Sequence, residues 1–360
     1  MEITNLKPLF PSVTPESQHI LIAGPCSAES REQTLTTARR LADEGISIFR
    51  AGVWKPRTKP GSFEGRGTVA LNWLAEVKKE YGMIVGTEVA TPQHLKEALD
   101  AGLDYVWIGA RTSANPFAMQ EIADVFAQLP DAQRDAIGVL VKNPVNADLE
   151  LWIGAIERLY AAGVRRLGAI HRGFSSYGEH LYRNPPEWRI PIEFHRRLPE
   201  VPLICDPSHI AGKKELVIPV ASRALDMNFD GLIIESHCSP EQALSDAEQQ
   251  LLPAELLPIC RDINRKRTVD ASTGSLEELR HKIDNIDDQL IDILAARMEV
   301  AREIGALKKR EGMSVVQRDR YNDLISRRVS LAEKSGLSPD FMKRILSVVH
   351  EESVRQQIDL

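Results

Sequence analysis

The chain has 360 residues, 43% of them hydrophobic and 27% charged, with a formal net charge of -6. That length accommodates one large domain and a small one, with enough apolar residues for a sizeable core. The negative balance argues against nucleic acid or an anionic membrane surface as partner, and no unbroken apolar run reaches the roughly 18 residues a membrane span requires. The start, MEITNLKPLFPS, has neither the basic residues nor the apolar run of a signal peptide. Cys26, Cys205, Cys238 and Cys260 show no CxxC spacing. A cytoplasmic protein with reduced thiols is expected, without nucleic-acid or membrane partners.

Short β-rich runs recur along the first part of the chain: HILIAGPCS, SIFRAG, MIVGTEV, YVWIGA, GVLVKNP, RRLGAIHRG, VPLICDPSH and GLIIESH. Each is a nearly continuous apolar run that ends in Gly, Pro or a charged residue, as parallel strands buried on both faces do. The intervening stretches, such as SREQTLTTARRLADEG, carry amphipathic helix spacing and end in Gly. Alternation of this kind predicts an α/β fold, a closed (β/α)8 TIM barrel, with a doubly wound open sheet as the alternative. Active sites in such barrels lie at the carboxyl ends of the strands. Here those ends carry Cys26, Arg50 with Lys55 and Arg57, Glu88, Arg111, Lys142, Arg172, His209 and Glu235.

Cys26, His209, Glu235 and Asp246 together offer a thiolate, an imidazole and two carboxylates, a mixed set suited to a borderline divalent ion with an open position. Taken singly, His209 also reads as a cap after DPS, and Asp246 as a solvated helix residue. Arg50, Lys55, Arg57, Arg111, Lys142 and Arg172 would share one mouth. Clustered cations of this kind call for anions, and Arg is the favoured group for phosphate and carboxylate. Residue chemistry therefore points to metal-assisted chemistry on phosphorylated carbon acids.

The segments GPCS, FRAGVWKPRT, IGAR, VLVK, HRG, DPSH and IIESH with its later SD stand in order over about residues 17 to 262. In them the chain resembles the 3-deoxy-D-arabino-heptulosonate 7-phosphate (DAHP) synthases of the type I beta branch. The resemblance implies condensation of phosphoenolpyruvate with erythrose 4-phosphate, opening the shikimate pathway. It implies Cys26, His209, Glu235 and Asp246 as ligands of a divalent metal (Mn, Fe, Co or Zn). Arg111 and Arg172 would hold the phosphate of phosphoenolpyruvate, with Arg50, Lys55 and Lys142 around its carboxylate. Pro56, Arg57 and Thr58 would receive erythrose 4-phosphate, and Lys55 would give a proton to its aldehyde oxygen. The octulosonate 8-phosphate synthases share the GPC start but carry a KANRS-like stretch where KPRT stands here. Cys238 occupies a position where relatives often have Pro.

After the small-residue gap ASTGS the habit of the chain changes. Leu279, Ile283, Ile286, Leu290 and Ile293 form a heptad-like seam on a helix expected to run to about Arg310. Such a helix cannot bury its seam alone, and SVVQRDRYNDLISRRVSLAEKSG and SPDFMKRILSVVHEESVRQQID supply two further helices. Periodicity alone favours a dimerisation module. Arg297 and Lys308, however, fall within about 20° of one another on one helix face, with Arg280 about 100° away.

From about Leu276 to the end the chain resembles chorismate mutases of the AroQ class, all-helical dimers. The resemblance implies a Claisen rearrangement of chorismate to prephenate. In it Arg297, Lys308, Arg320, Ser353 and Gln357 line a pocket, and Arg280 reaches into the pocket of a partner subunit. Arg280, Arg297 and Arg320 would clamp carboxylates, and Lys308 and Gln357 would stabilise charge on the ether oxygen. Tyr321 stands where the family commonly has Glu, and Gln317 replaces a frequent Asp.

The expected organisation is therefore a synthase barrel over 1–262, a linker over 263–275 and a helical mutase domain over 276–360. A bifunctional homodimer or higher homo-oligomer is expected, with prephenate as a feedback ligand sensed by the helical domain. The alternative is a synthase whose helical domain is a non-catalytic chorismate- or prephenate-sensing or dimerisation module. With the first strand expected by residue 20, the regulatory domain that some relatives carry ahead of it is expected to be absent.

Overall fold

The computed structural model of the chain describes residues 3–11, 20–55, 61–178, 180–259, 274–315 and 318–358, with the side chains of 274–278 and 318–323 outside the described set. Pro56, Arg57 and Thr58 thus lie outside the described residues, and so do the side chains of Arg320 and Tyr321. The chain divides into two compact units, Met1–Val269 and Asp270–Leu360.

The first unit is a closed parallel barrel with strands in chain order. They are β1 (Ile20–Gly24), β2 (Ile48–Arg50), β3 (Ile84–Val89), β4 (Tyr105–Ile108), β5 (Gly138–Lys142), β6 (Leu167–His171), β7 (Leu203–Cys205) and β8 (Gly231–Glu235). Closure is made by β1 against β8, with Gly24 beside Glu235. Helices between the strands start where the sequence supplies a cap: Ser30, Thr91 and Asp148 each accept an amide of the first turn. The doubly wound alternative is excluded by the closed strand order.

Period-two alternation sorts the strand residues. Ala23, Phe49, Val106, Val139, Ala169, Leu203 and Leu232 face the helical layer. Ile22, Ile48, Trp107, Leu140, Ile170, Ile204 and Ile233 fill the barrel interior, joined by Leu9 and Phe10 of the N-terminal segment. The Phe10 ring meets Tyr105 edge-on at 5.3 Å between centroids. One end of the barrel is thereby plugged, and polar chemistry is confined to the carboxyl end of the strands.

Among the described residues the second unit has three helices, Gly274–Arg310, Arg318–Lys334 and Pro339–Ile358. Ser338 caps the last by accepting the amide of Phe341 at 3.2 Å. Seam residues Leu279, Ile283, Ile286, Leu290 and Ile293 remain 51% to 65% exposed.

Candidate active sites

Two residues beyond the interior apolar layer, the same alternation turns polar: Ile48 is followed by Arg50, Leu140 by Lys142, Ile204 by Asp206 and Ile233 by Glu235. All four of these polar side chains are buried. Arg50 lies 3.3 Å from Glu235, and Lys142 lies 2.9 Å from Asp206. Buried pairs of this kind cost desolvation that their attraction only partly repays, so stability is a weak reason for keeping them. They mark a site.

Cys26, Glu235 and Asp246 bring Sγ and carboxylate oxygens within 4.8 Å of one another. Cys26 Sγ donates to Asp246 Oδ2 at 3.1 Å, and Glu235 Oε1 is buried without a hydrogen-bond partner. His209 stands at the edge of this group, its Nε2 3.9 Å from Glu235 Oε1. Its Nδ1 is held by Asp206 at 2.9 Å, leaving Nε2 directed to the carboxylates. A soft sulfur, an imidazole nitrogen and a carboxylate oxygen lacking a donor form a donor set that fits a divalent cation. Burial first, and the Glu235 carboxylate second, push the Cys26 thiol up to about 12. A cation entering here must therefore displace a proton.

The surrounding contacts fix these ligands. Gln249 Nε2 donates to Glu235 Oε2 at 2.6 Å, and the Cys26 amide donates to Gln250 Oε1 at 3.0 Å. Asp246 occupies the left-handed region at φ 47. Burial opposes its ionisation, but His209, Lys55 and Arg183 outweigh that and hold it below the usual carboxylate range. A cleft of about 620 Å³ bordered by Arg183, Ser245, Asp246 and Gln249 opens beside it.

The cations predicted from the strand ends are partly neutralised within the protein. Lys142 and His209 meet Asp206, a residue the motif reading passed over in favour of its neighbour His209. Asp206 was findable: it stands two residues after the interior Ile204. Lys55 Nζ donates to the Cys26 sulfur at 2.9 Å and to its carbonyl at 3.1 Å. Glu88 accepts from Trp107 Nε1 at 2.9 Å. Burial works against its charge, but Lys142 and Lys55 more than compensate and hold it ionised.

Three arginines at the strand ends are informative. Arg50 Nε and Nη1 are buried with no hydrogen-bond partner. Arg172 is held down to about 10, first by burial, with Asp206 pulling the other way and Arg183 and Arg111 repelling it. Arg111 follows β4 on a short helix, Ala110–Ser113, and is exposed. An anion would relieve both features.

In the helical unit Arg297, on the long helix, donates to the Val349 carbonyl at 3.2 Å and to Ser353 Oγ on the last helix. Gln357 Nε2 donates to the Ser353 carbonyl at 3.1 Å, and its Oε1 is buried without a partner. Lys308 Nζ donates to the Val315 carbonyl at 2.6 Å. The His350 imidazole is lowered by burial first, then by Arg297 and Lys308, so both cations bear on one region. Arg328, absent from the sequence expectation, depresses Arg297 after burial does. Arg280 is exposed on the first part of the long helix, away from these groups in sequence.

Comparison with known proteins follows this division. The model of the DAHP synthetase I family matches residues 13–267, and that of chorismate mutase type II matches residues 279–358. A phospho-2-dehydro-3-deoxyheptonate aldolase of Thermotoga maritima is 33% identical over 231 residues, covering 64% of this chain and 64% of the relative. The chain thus spans a little under two thirds of that relative's length. A crystal structure of DAHP synthase from Thermotoga maritima superposes with a TM-score of 0.61 at 29% identity, over 69% of this chain and 68% of that one. A 2-dehydro-3-deoxyphosphooctonate aldolase of Nitratidesulfovibrio vulgaris is 28% identical over 286 residues, covering 68% of this chain and 93% of the relative. The T-protein of Enterobacter agglomerans is 34% identical over 86 residues, 24% of this chain and 23% of the relative. With most of its length matched, the chain belongs to the DAHP synthetase I family, and it carries a chorismate mutase type II segment after the barrel.

Proposed function

We propose that the barrel unit is a metal-dependent DAHP synthase and the helical unit a chorismate mutase. The observation that carries the first half is the Arg50 guanidinium, buried with two nitrogens unpartnered beside Cys26, Glu235 and Asp246. An anionic substrate is the partner such nitrogens require, because leaving them unmade is costly. Arg50, Lys55 and Lys142 would hold the carboxylate of phosphoenolpyruvate, and Arg111 and Arg172 its phosphate. Cys26, His209, Glu235 and Asp246 would hold a divalent ion (Mn, Fe, Co or Zn), which when bound would polarise the aldehyde of erythrose 4-phosphate.

Lys55 delivers a proton to that aldehyde oxygen while C3 of phosphoenolpyruvate forms the new bond to its carbon. Water adds at C2, the C–O bond to phosphate breaks, and DAHP and inorganic phosphate leave. Pro56, Arg57 and Thr58 receive the aldose phosphate. With the KPRT stretch, the chain is expected to use erythrose 4-phosphate at least about 100-fold better than arabinose 5-phosphate in kcat/KM. Equal use of the two aldoses would move the barrel to the octulosonate branch.

For the helical unit, Arg297 and Arg320, with Arg280 of a second copy, would clamp the carboxylates of chorismate. Lys308 and Gln357 would meet the charge growing on the ether oxygen, and Tyr321 would hydrogen-bond the substrate hydroxyl. The exposed seam of Leu279, Ile283, Ile286, Leu290 and Ile293 supports a homodimer or higher homo-oligomer built on this helix. The proposed location is the cytoplasm. Among the described residues no helix is long and apolar enough to cross a membrane.

The two reactions are not consecutive, so channelling does not explain their fusion. Feedback does, with prephenate bound in the helical unit slowing the synthase. Synthase kinetics that stay unchanged under saturating prephenate would remove this regulatory link.

A further inference from the structure

The segment between β6 and the helix Arg189–Arg197 contributes two adjacent residues, Arg183 and Asn184, that bond Asp246, Gln249, the His209 carbonyl and Arg172 without lying on any strand. Their amides donate to the carbonyls of Ala211 and Ile210, at 3.4 and 3.2 Å, in the short helix that carries His209. Asn184 is buried. Its Nδ2 donates to the His209 carbonyl at 2.7 Å, while its Oδ1 accepts from Arg172 Nη1 at 2.9 Å. Arg183 Nη1 donates to Asp246 Oδ1 and to Gln249 Oε1, both at 2.9 Å.

With Oδ1 of Asp246 engaged by Arg183, Oδ2 is the oxygen turned to Cys26. Through Gln249, the same guanidinium is also tied to Glu235. Close packing keeps the pair in place. Gly173 has φ +75, and a Cβ there would lie 2.2 Å from the Asn184 carbonyl oxygen. Gly212 has φ +70, and a Cβ there would lie 2.4 Å from that of Arg183.

We propose that Arg183 and Asn184 are positioning residues that set the cation-binding half of the barrel site against its phosphate-binding half. Arg183 orients the Asp246 carboxylate, and Asn184 spans from the His209 backbone to the guanidinium of Arg172. The proposal rests on the assignment of Asp246 and His209 to a divalent ion and of Arg172 to a substrate phosphate. Neither Arg183 nor Asn184 touches substrate in it.

The test uses the full chain, Mn2+ binding by equilibrium dialysis, and steady-state kinetics. Arg183→Met is expected to weaken Mn2+ binding by about 10-fold or more, with the KM for phosphoenolpyruvate at saturating Mn2+ moving by less than about twofold. Arg183→Lys, which keeps a donor, is expected to recover part of the affinity. Asn184→Asp sets a carboxylate against Arg172 and the His209 carbonyl, and is expected to raise that KM as well as weaken Mn2+ binding, each by about 10-fold. Arg183→Met with Mn2+ affinity unchanged overturns the proposal. So does a higher KM for erythrose 4-phosphate at unchanged Mn2+ affinity, which would make Arg183 a substrate contact. If the wild-type chain holds no Mn2+, or holds it equally after Cys26→Ala, the metal assignment itself falls, and the proposal falls with it.

Discussion

Replacing Lys55 by methionine is expected to lower kcat for DAHP formation by roughly 10²- to 10⁴-fold, the range lost with a general acid. Among the described residues, Lys55 is the one cation of the barrel site that bonds the sulfur of the cation-binding group directly, at 2.9 Å. Burial disfavours its charge, but Cys26, Glu235 and Glu88 more than offset this and hold it protonated. The Cys26 contribution counts only when that thiol has lost its proton; the two carboxylates act regardless. A lysine kept charged in this way gives up its proton only to a strong base, such as the alkoxide developing from the aldehyde. Methionine preserves much of the unbranched stem, so the barrel should remain folded. Chorismate consumption by the same preparation serves as the internal control. If kcat holds and only KM for phosphoenolpyruvate rises, Lys55 serves the substrate carboxylate alone and is no proton donor.

Arg297→Ala should have an effect of comparable size on the other activity, lowering kcat for chorismate loss by roughly 10²- to 10³-fold. The rearrangement has no nucleophile and no proton transfer. Preorganised charge and a folded substrate are all the protein can supply. Arg297 is held ready by the Val349 carbonyl and by Ser353, whose own hydroxyl is fixed by donation to Val349 at 2.7 Å. Ser353→Ala removes one support and leaves the guanidinium in place, so a loss of about tenfold or less is expected. DAHP formation should not change in either variant. Chorismate consumption unaltered by Arg297→Ala would remove Arg297 from the catalytic set, whereas no consumption by the unmodified chain would favour a helical unit that senses or dimerises without catalysing.

The barrel was legible because burial on both faces leaves its strands as short apolar runs. Its closed order and its polar strand ends followed from the same pattern. Individual charges were less legible. The cations at the strand ends suggested an uncompensated positive mouth, yet Asp206 binds Lys142, and Glu235 lies against Arg50. Period two from the interior Ile204 points to Asp206, although the sequence motifs do not single it out. Arg183 and Asn184 gave no signal of that kind. They sit in an irregular connection whose path is set by tertiary contacts with Ala211 and Ile210. In the helical unit the heptad spacing disclosed the long helix and its exposed seam. It did not disclose that Arg297 is anchored on the last helix, a contact between residues far apart in sequence.

The central claim is that one chain holds two separate catalytic sites, of which only the barrel's needs a cation. One preparation of the full chain should be assayed for DAHP formation and for chorismate loss before chelation, after it, and after restoring Mn2+. DAHP formation should fall to background with chelator and return with Mn2+, while chorismate loss continues unchanged throughout. DAHP formation indifferent to chelation, or chorismate left unconsumed at every stage, would contradict it.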